Sequence, residues 1–198
     1  VLLSRNGFIR SRSGHNIDRA TLTWKDGDGE LAIVETRTVH PVVLFDGAGR
    51  AYTVRPADLP GGKGDGVPVT SLVELHNGPI VAMISAPPEA KFLMATDAGV
   101  GFVGTLGDMV ARVRAGKAYM NVDEGAELQV PTPVPAEARL VAALSAEGRL
   151  LVFGMDEMKE LSGGKGVILM GLNDGEKLVA ARAIDHAVTV RGLARGDK

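Results

Sequence analysis

The feature that most restricts the fold of this chain is a repeat. Four glycines, Gly7, Gly49, Gly99 and Gly148, stand 42, 50 and 49 residues apart. Nine residues past each comes Asn16, Asp58, Asp108 or Glu157, and ten past comes Ile17, Leu59, Met109 or Met158. Three copies then carry a Gly-Lys step, at Lys63, Lys117 and Lys165. The unit is clearest over residues 99–120 and faintest in the copy that starts at Gly7. Periods of this size belong to propellers and related repeat arrays, in which each unit buries its apolar faces against its neighbours.

Between the glycines the chain reads as short strands punctuated by Gly, Pro, Asn and Asp. The third copy gives strands at 80–85, 92–96, 101–105 and 118–122. The second gives 31–34, 42–45, 51–55 and 67–72, and the fourth 128–131, 141–145, 150–153 and 167–171. The runs VVLF, KFLMAT, LVAAL and RLLVF are almost continuously apolar. Strands buried on both faces have this character, and stacked blades bury both. The fold class is therefore all-β, a propeller-like array of four-stranded blades forming one domain over 1–198. Segments 108–115 and 156–161 are too short for amphipathic helices and are assigned as helical turns at the blade rim. Residues 177–191 supply a first strand (178–184) and part of a second (187–191), so four blades are followed by the start of a fifth. Two arrangements fit: the two chain ends complete one blade together, or the sequence stops before the fifth blade is finished.

Composition excludes several classes. No run of about 18 apolar residues exists, so no membrane helix is expected. The opening VLLSRNGFIR does not have the form of a secretion signal, and the absence of an initiating Met reads as a piece of a longer chain. There is no cysteine, which removes disulfides and thiolate metal sites and suits a reducing cytoplasm. Net charge is −2, from 22 basic and 24 acidic side chains, so any polyanion partner must be met by local rather than total charge.

No self-contained active site emerges. His15, His40, His76 and His186 sit at unrelated repeat positions without metal-ligand spacing. No Ser lies in a G-x-S-x-G elbow. Residues 61–64 and 163–166 both read Gly-Gly-Lys-Gly but lack the Ser/Thr of a phosphate-binding P-loop. The acids nine residues past the glycines fit a cap or turn role. The recurring glycine-lysine loops are more informative. Lys63, Lys117 and Lys165 occupy equivalent places in successive units, and a ring of blades, closed or open, sets such places along one edge, with Arg55, Arg112, Arg114 and Lys159 nearby. Such a row suits the phosphate backbone of duplex DNA, which needs charge at intervals rather than base readout. The plainer alternative is a set of exposed turns with solubilising lysines.

Four segments carry a family resemblance: FIRSRSGHNID (8–18), PVVLFDGAGRAYTVRPADLPGGKGDGVPVT (41–70), LMATDAGVGFVGTLGDMVARVRAGKA (93–118) and LSAEGRLLVFGMDEMKELSGGKG (144–166). Together they resemble the C-terminal domain of the A subunit of bacterial type IIA topoisomerases, nearer to topoisomerase IV than to DNA gyrase. The resemblance implies a β-pinwheel whose blades exchange a strand with their neighbours. It implies a non-catalytic domain that bends DNA around its outer edge and presents a transport segment for decatenation and relaxation. The cleaving tyrosine, ATP and Mg belong elsewhere in the holoenzyme, so no cofactor is expected here, and Tyr52 and Tyr119 are not nucleophiles. Implied partners are duplex DNA, the N-terminal part of the same polypeptide, a condensin-type protein and the ATPase subunit, at the nucleoid in the cytoplasm, with no membrane. The expected DNA contacts are Lys63, Arg112, Arg114, Lys117 and Lys165, with Arg10, Arg12, Arg50, Arg55 and Lys159 around them. Gyrase relatives carry a Gln-Arg-Arg-Gly-Gly-Lys-Gly box that drives wrapping. Residues 160–166 keep its Gly-Gly-Lys-Gly and lack its Gln-Arg-Arg, and residues 59–64 match in part, which implies weaker wrapping. A protein-interaction propeller using its acidic loops is the rival reading.

Overall fold

The computed structural model describes residues 1–62 and 64–192. Its strands are β1 (Leu2–Ser4), β2 (Phe8–Arg10), β3 (Glu30–Ile33), β4 (Val42–Asp46) and β5 (Arg50–Val54). Next come β6 (Val67–Pro68), β7 (Ile80–Ser85), β8 (Lys91–Ala95), β9 (Val100–Thr105) and β10 (Lys117–Ala118). The last are β11 (Thr132–Pro133), β12 (Leu140–Ser145), β13 (Leu150–Gly154), β14 (Val167–Ile168) and β15 (Leu178–Ile184). They form four antiparallel sheets, ordered β3-β1-β2-β6, β10-β5-β4-β7, β11-β8-β9-β14 and β13-β12-β15.

Each sheet is built on a hairpin, and each hairpin turns on one of the four repeat glycines. Gly7, Gly49, Gly99 and Gly148 have φ of 79°, 82°, 79° and 80°. Each donates its N–H to the carbonyl three residues before it, from Ser4, Asp46, Thr96 or Ser145, at 3.0–3.1 Å. This is a tight turn closed by a left-handed residue, a place where glycine carries no steric cost. The same four preceding residues are polar yet buried, at 0–2% exposure. Three of them use the side chain to accept the N–H that follows the glycine: Phe8 to Ser4 Oγ and Arg50 to Asp46 Oδ1, both 3.0 Å, and Arg149 to Ser145 Oγ, 3.3 Å.

The resemblance led us to expect exchanged strands, and they are present: β6, β10 and β14 add to the hairpin of the preceding unit, pairing with β2, β5 and β9. Gly66, Gly116 and Gly166 precede these strands with φ of 92°, 64° and 91°. A Cβ on them would lie 2.3, 2.5 and 2.2 Å from the carbonyl oxygens of Ile9, Ala51 and Gly101. Only a residue without a side chain allows that approach. The exchanged segments then bond back to the turn, from Val69, Met120 and Leu169 N–H to the carbonyls of Gly7, Gly49 and Gly99.

Packing alternates with the pleat. In β4, Val42 and Leu44 enter a core shared with Leu3 and Ile9 of the first sheet, whereas Val43 and Phe45 enter one shared with Phe92 and Met94 of the third. In β8, Leu93 and Ala95 turn to a further core with Val141 and Ala143 of the fourth. Both faces of the middle sheets are thus buried, as their continuous apolar runs require.

Several sequence expectations are corrected. The strands expected at 67–72, 118–122 and 167–171 shrink to two residues each and belong to the preceding sheet. The strands at 31–34 and 80–85 complete the first and second sheets rather than opening the second and third copies, because β3 pairs with β1 and β7 with β4. The one at 128–131 is replaced by β11, paired with β8. β15 pairs with β12 and joins the fourth, three-stranded sheet, so among the described residues it opens no fifth blade, and residues 187–191 form no strand. Among the described residues no segment of the first unit pairs with β13. The run RLLVF is consequently not buried on both faces: Leu150, Leu151 and Val152 are 41–46% exposed.

Charged clamps tie the hairpin turns to the outer strands. Asp46 Oδ2 accepts Tyr52 O–H at 2.9 Å and Asn77 Nδ2–H at 3.3 Å. Asp97 accepts the Glu127 N–H at 2.7 Å and Lys177 Nζ–H at 2.5 Å. Arg149 donates from both Nε and Nη2 to the Glu176 carboxylate. That pair, helped by the Asn173 N–H and the Ser145 hydroxyl, holds Glu176 down at about 2.

Two outcomes are expected. Gly125 has φ of 78° and open space around it, so Gly125→Ala should cost only the left-handed penalty of about 1–2 kcal/mol. Gly116→Ala adds the collision with Ala51 and should cost about 1–3 kcal/mol more, read as a difference in urea midpoints. For Glu176, a carboxylate held low in the folded state stabilises above its unfolded value and loses that contribution as pH falls through its folded value. The stability gap between wild type and Glu176→Gln should therefore be constant above about pH 5 and close towards pH 2 in acid-unfolding measurements.

Candidate nucleic-acid interface

Each hairpin leads into a helical turn, at Pro56–Asp58, α1 (Leu106–Met109) and Met155–Glu157. Of the acids nine residues past the repeat glycines, Glu157 bonds the backbone of its turn's cap residue, whereas Asp108 and Asp58 reach only the cap residue's side chain. Asp108 Oδ2 accepts the Thr105 hydroxyl, Glu157 Oε1 accepts the Gly154 N–H, and Asp58 grips Arg55. Leu59, Met109 and Met158 behind them are buried at 6%, 0% and 9% exposure and pin the turns to the cores. The first copy departs: Asn16 lies outside any helical turn, at φ 51°. From each turn a loop runs to Gly66, Gly116 or Gly166, and these loops carry the cations foreseen from the sequence.

The loop before Gly116 is the richest. Arg112 and Arg114 are exposed, and Lys117 keeps its stem half-buried with Nζ 5.8 Å above the Tyr119 ring. Ala111 N–H donates to Thr53 Oγ1 at 2.8 Å, and Arg114 Nη2 donates to Ser71 O at 2.8 Å, so the loop is fastened at both ends. Arg50 reaches it from β5, donating from Nε to Ala115 O at 2.6 Å and from Nη2 to Gly116 O at 3.2 Å. Four cations therefore converge here, and none is in a salt bridge among the described residues.

The other foreseen residues fare differently. Lys165 is half-exposed and paired with Asp123 at 2.7 Å. Lys159 is exposed, and its carbonyl accepts the Val103 N–H. Arg55 is exposed but forked onto both oxygens of Asp58 at 2.7 and 2.8 Å, a bond that raises the guanidinium and lowers the carboxyl. Arg12 is exposed. Lys63 lies outside the described residues. Arg10 must be withdrawn from the exposed set. It is 5% exposed, with its guanidinium 5.2 Å from the Trp24 ring and its N–H groups on the carbonyls of Gly64 and Thr23. It fastens β2 to two loops.

The equivalence of the three lysines also fails. Measured from the glycines that precede the exchanged strands, Lys63 stands three residues before, Lys165 one before and Lys117 one after. Lys63 and Lys165 come before that glycine in sequence, whereas Lys117 follows it in β10. The signal that gives the true register is glycine itself, 17, 17 and 18 residues past Gly49, Gly99 and Gly148. Also unforeseen were the buried polar residues three before each turn glycine.

At the hairpin turns Asp28, Asp46, Asp97 and Glu176 are engaged by backbone and side-chain donors. Tyr52 and Tyr119 are 0% and 2% exposed, and burial raises both phenols above their ordinary value. They are neutral core residues, not nucleophiles. No group of three potential metal ligands exists among the described residues, and no described helix is long and apolar enough to cross a membrane. The arrangement offers exposed cationic loops, a surface for polyanion contact.

No family model matches the chain. It is similar to the A subunit of DNA topoisomerase 4 from Neisseria gonorrhoeae, 42% identical over 190 residues, which cover 90% of this chain and 24% of that protein. The corresponding protein of Escherichia coli K12 is 38% identical over 186 residues, covering 93% and 24%. The chain thus spans about a quarter of the length of these relatives. Among solved structures, the E. coli ParC C-terminal domain superposes with a TM-score of 0.85 at 35% identity, covering 92% of this chain and 78% of that one. The DNA gyrase A C-terminal domain gives 0.65 at 17% identity, covering 91% and 62%, a likeness of fold alone.

The contrast between Arg10 and Arg112 is measurable. Arg10→Met leaves two carbonyls without their donors and should cost about 2–4 kcal/mol in urea unfolding. Arg112→Ala, at an exposed loop site, should stay within about 0.5 kcal/mol of wild type.

Proposed function

The chain belongs to the family of ParC C-terminal domains, from the A subunit of topoisomerase IV, and from that membership we propose that it is a non-catalytic module that binds and bends duplex DNA. In this reading it presents a transported duplex to a cleavage gate elsewhere in the enzyme and thereby serves decatenation and relaxation. The observation that carries it is the convergence of Arg50, Arg112, Arg114 and Lys117 on one tethered loop with no salt-bridged carboxylate among the described residues. Phosphates meet fixed cations there, and tethering reduces the side-chain and loop entropy lost on contact. Arg12, Lys159 and Lys165 extend the contact to neighbouring loops, Lys165 after releasing Asp123, with Lys63 assigned by sequence alone.

The main carboxylates of the hairpin turns are occupied by internal donors, which disfavours the rival reading of an acidic protein-docking surface. The module needs no cofactor of its own; strand cleavage, ATP and Mg fall to other parts of the enzyme. Its further partners in this reading are the N-terminal part of the same polypeptide, a condensin-type protein and the ATPase subunit, at the nucleoid. Loss of the Gln-Arg-Arg half of the gyrase box and a net charge of −2 favour bending over tight wrapping.

Contacts to phosphate are blind to sequence. Arg112→Ala with Arg114→Ala should weaken binding by a similar factor on unrelated duplexes and lower the salt slope by about two. Unchanged affinity and slope in a salt titration would refute the assignment.

A further inference from the structure

We infer that Asn77-Gly78 is a site of spontaneous deamidation, and that the carboxylate it creates loosens the strap that holds the cationic loop before Gly116. The sequence has two Asn-Gly pairs, Asn6-Gly7 and Asn77-Gly78. A glycine after asparagine leaves its main-chain nitrogen unshielded and free to approach the asparagine side chain. The two pairs differ in how that nitrogen is engaged. Gly7 N–H is locked into the first hairpin turn, donating to Ser4 O at 3.0 Å, while the Gly7 carbonyl accepts the Val69 N–H at 2.8 Å. Gly78 N–H has no hydrogen-bond partner among the described residues. Gly78 is exposed, at φ 91° with open space about it. Asn77 is exposed too, and its side chain is held by one long hydrogen bond, from Nδ2 to Asp46 Oδ2 at 3.3 Å.

The reaction consumes only water. The Gly78 nitrogen gives up its proton to solvent and attacks Asn77 Cγ. The bond from Cγ to Nδ2 breaks, and that nitrogen leaves as ammonia with a proton returned by solvent, giving a cyclic imide. Water opens the ring at either carbonyl carbon. Opening at Cγ leaves aspartate, and opening at the main-chain carbonyl leaves isoaspartate, whose main chain runs through Cγ. Either product replaces a neutral donor by a carboxylate. Asp46 makes that charge matter. It is fully buried and accepts the N–H groups of Ala48 and Arg50, the Tyr52 hydroxyl and Asn77, with no salt bridge among the described residues. A second carboxylate there meets a negative charge that no salt bridge offsets. The strap from Ser71 to Asn77 carries the effect to the cationic loop. Arg114 Nη2 donates to Ser71 O at 2.8 Å, and Arg114 O accepts the Glu74 N–H at 2.9 Å. His76 N–H donates to the Tyr52 hydroxyl at 3.1 Å, and Asn77 adds the bond to Asp46. Deamidation removes that last tie and repels the strap from its anchor, and isoaspartate also inserts a methylene into its main chain.

The inference rests on the DNA-binding reading for its last arm only. The chain held in warm, mildly alkaline buffer should accumulate isoaspartate and aspartate at position 77, read by peptide mapping, about fivefold faster than at position 6, where attack must first break a hydrogen bond. Asn77→Asp should lower the urea midpoint more than Asn77→Ala, which only loses the bond to Asp46. Aged wild type and Asn77→Asp should bind duplex DNA roughly two- to fivefold more weakly than fresh wild type, because the loop must be ordered again on contact, whereas Asn77→Ala should not change on ageing. Deamidation at Asn6 as fast as at Asn77, or at neither, would overturn the site. Equal midpoints for Asn77→Asp and Asn77→Ala would overturn the repulsion from Asp46. A lowered midpoint with duplex affinity unchanged would overturn the strap's hold on the cationic loop. If fresh wild type binds no duplex at all, the functional reading fails, while mapping and urea unfolding still decide the site and the repulsion.

Discussion

Everything in this molecule is spaced by backbone meeting backbone at Gly66, Gly116 and Gly166. There the chain of one unit is pressed against a carbonyl of the previous hairpin so closely that a methyl group would overlap it. Because the approach is that close, the two-residue strands that follow can complete the neighbour's sheet. The distance between consecutive sheets is set at the same time. Alternate residues of β4 and β8 then reach separate cores, which lets an aliphatic chain with 4% aromatic residues bury both faces of its middle sheets. The loops that precede these glycines have one end fixed by the contact and the other by a capped turn. Their cations are consequently held in place rather than carried on free tethers.

Charge is sorted by this framework more than by composition. Carboxylates at the hairpin turns serve buried side chains and N–H groups that need acceptors, and Arg50 and Arg149 follow those turns directly. The loop cations Arg50 and Arg114 are held by backbone carbonyls instead of carboxylates. Arg10 is the warning against counting: an indole face and two carbonyls pull it inward, and its charge acts from within a wall.

The hairpins were legible because their turn glycines need a conformation that other residues resist, and because Val42–Asp46 and Lys91–Ala95 announce burial on both faces by their continuous apolarity. Ownership of strands was not legible. A strand of two residues has no periodicity to detect, and nothing local in Val67–Pro68 says that its partner is β2 of an earlier unit. The lysine row misled because a Gly-Lys pair is a chemical motif, whereas register is kept by the glycine that touches a carbonyl. The run 150–153 has the same apolar character as 42–45, and only the absence of a neighbour on its edge exposes it. That 112–117 carries three basic residues is plain in the sequence, whereas the carbonyls that hold Arg50 and Arg114 are not. The burial of Arg10 is not plain either, because it depends on Trp24, fourteen residues away.

The exchange of strands also orders the birth of the protein. A ribosome that has released the β4–β5 hairpin has not yet translated Lys117–Ala118, which finish its sheet. Each of the first three blades therefore emerges one strand short and stays so until its successor has been made, so completion travels along the nascent chain one unit behind synthesis. During that interval the waiting edge is open to the wrong partner, and speed of elongation becomes part of what protects the fold.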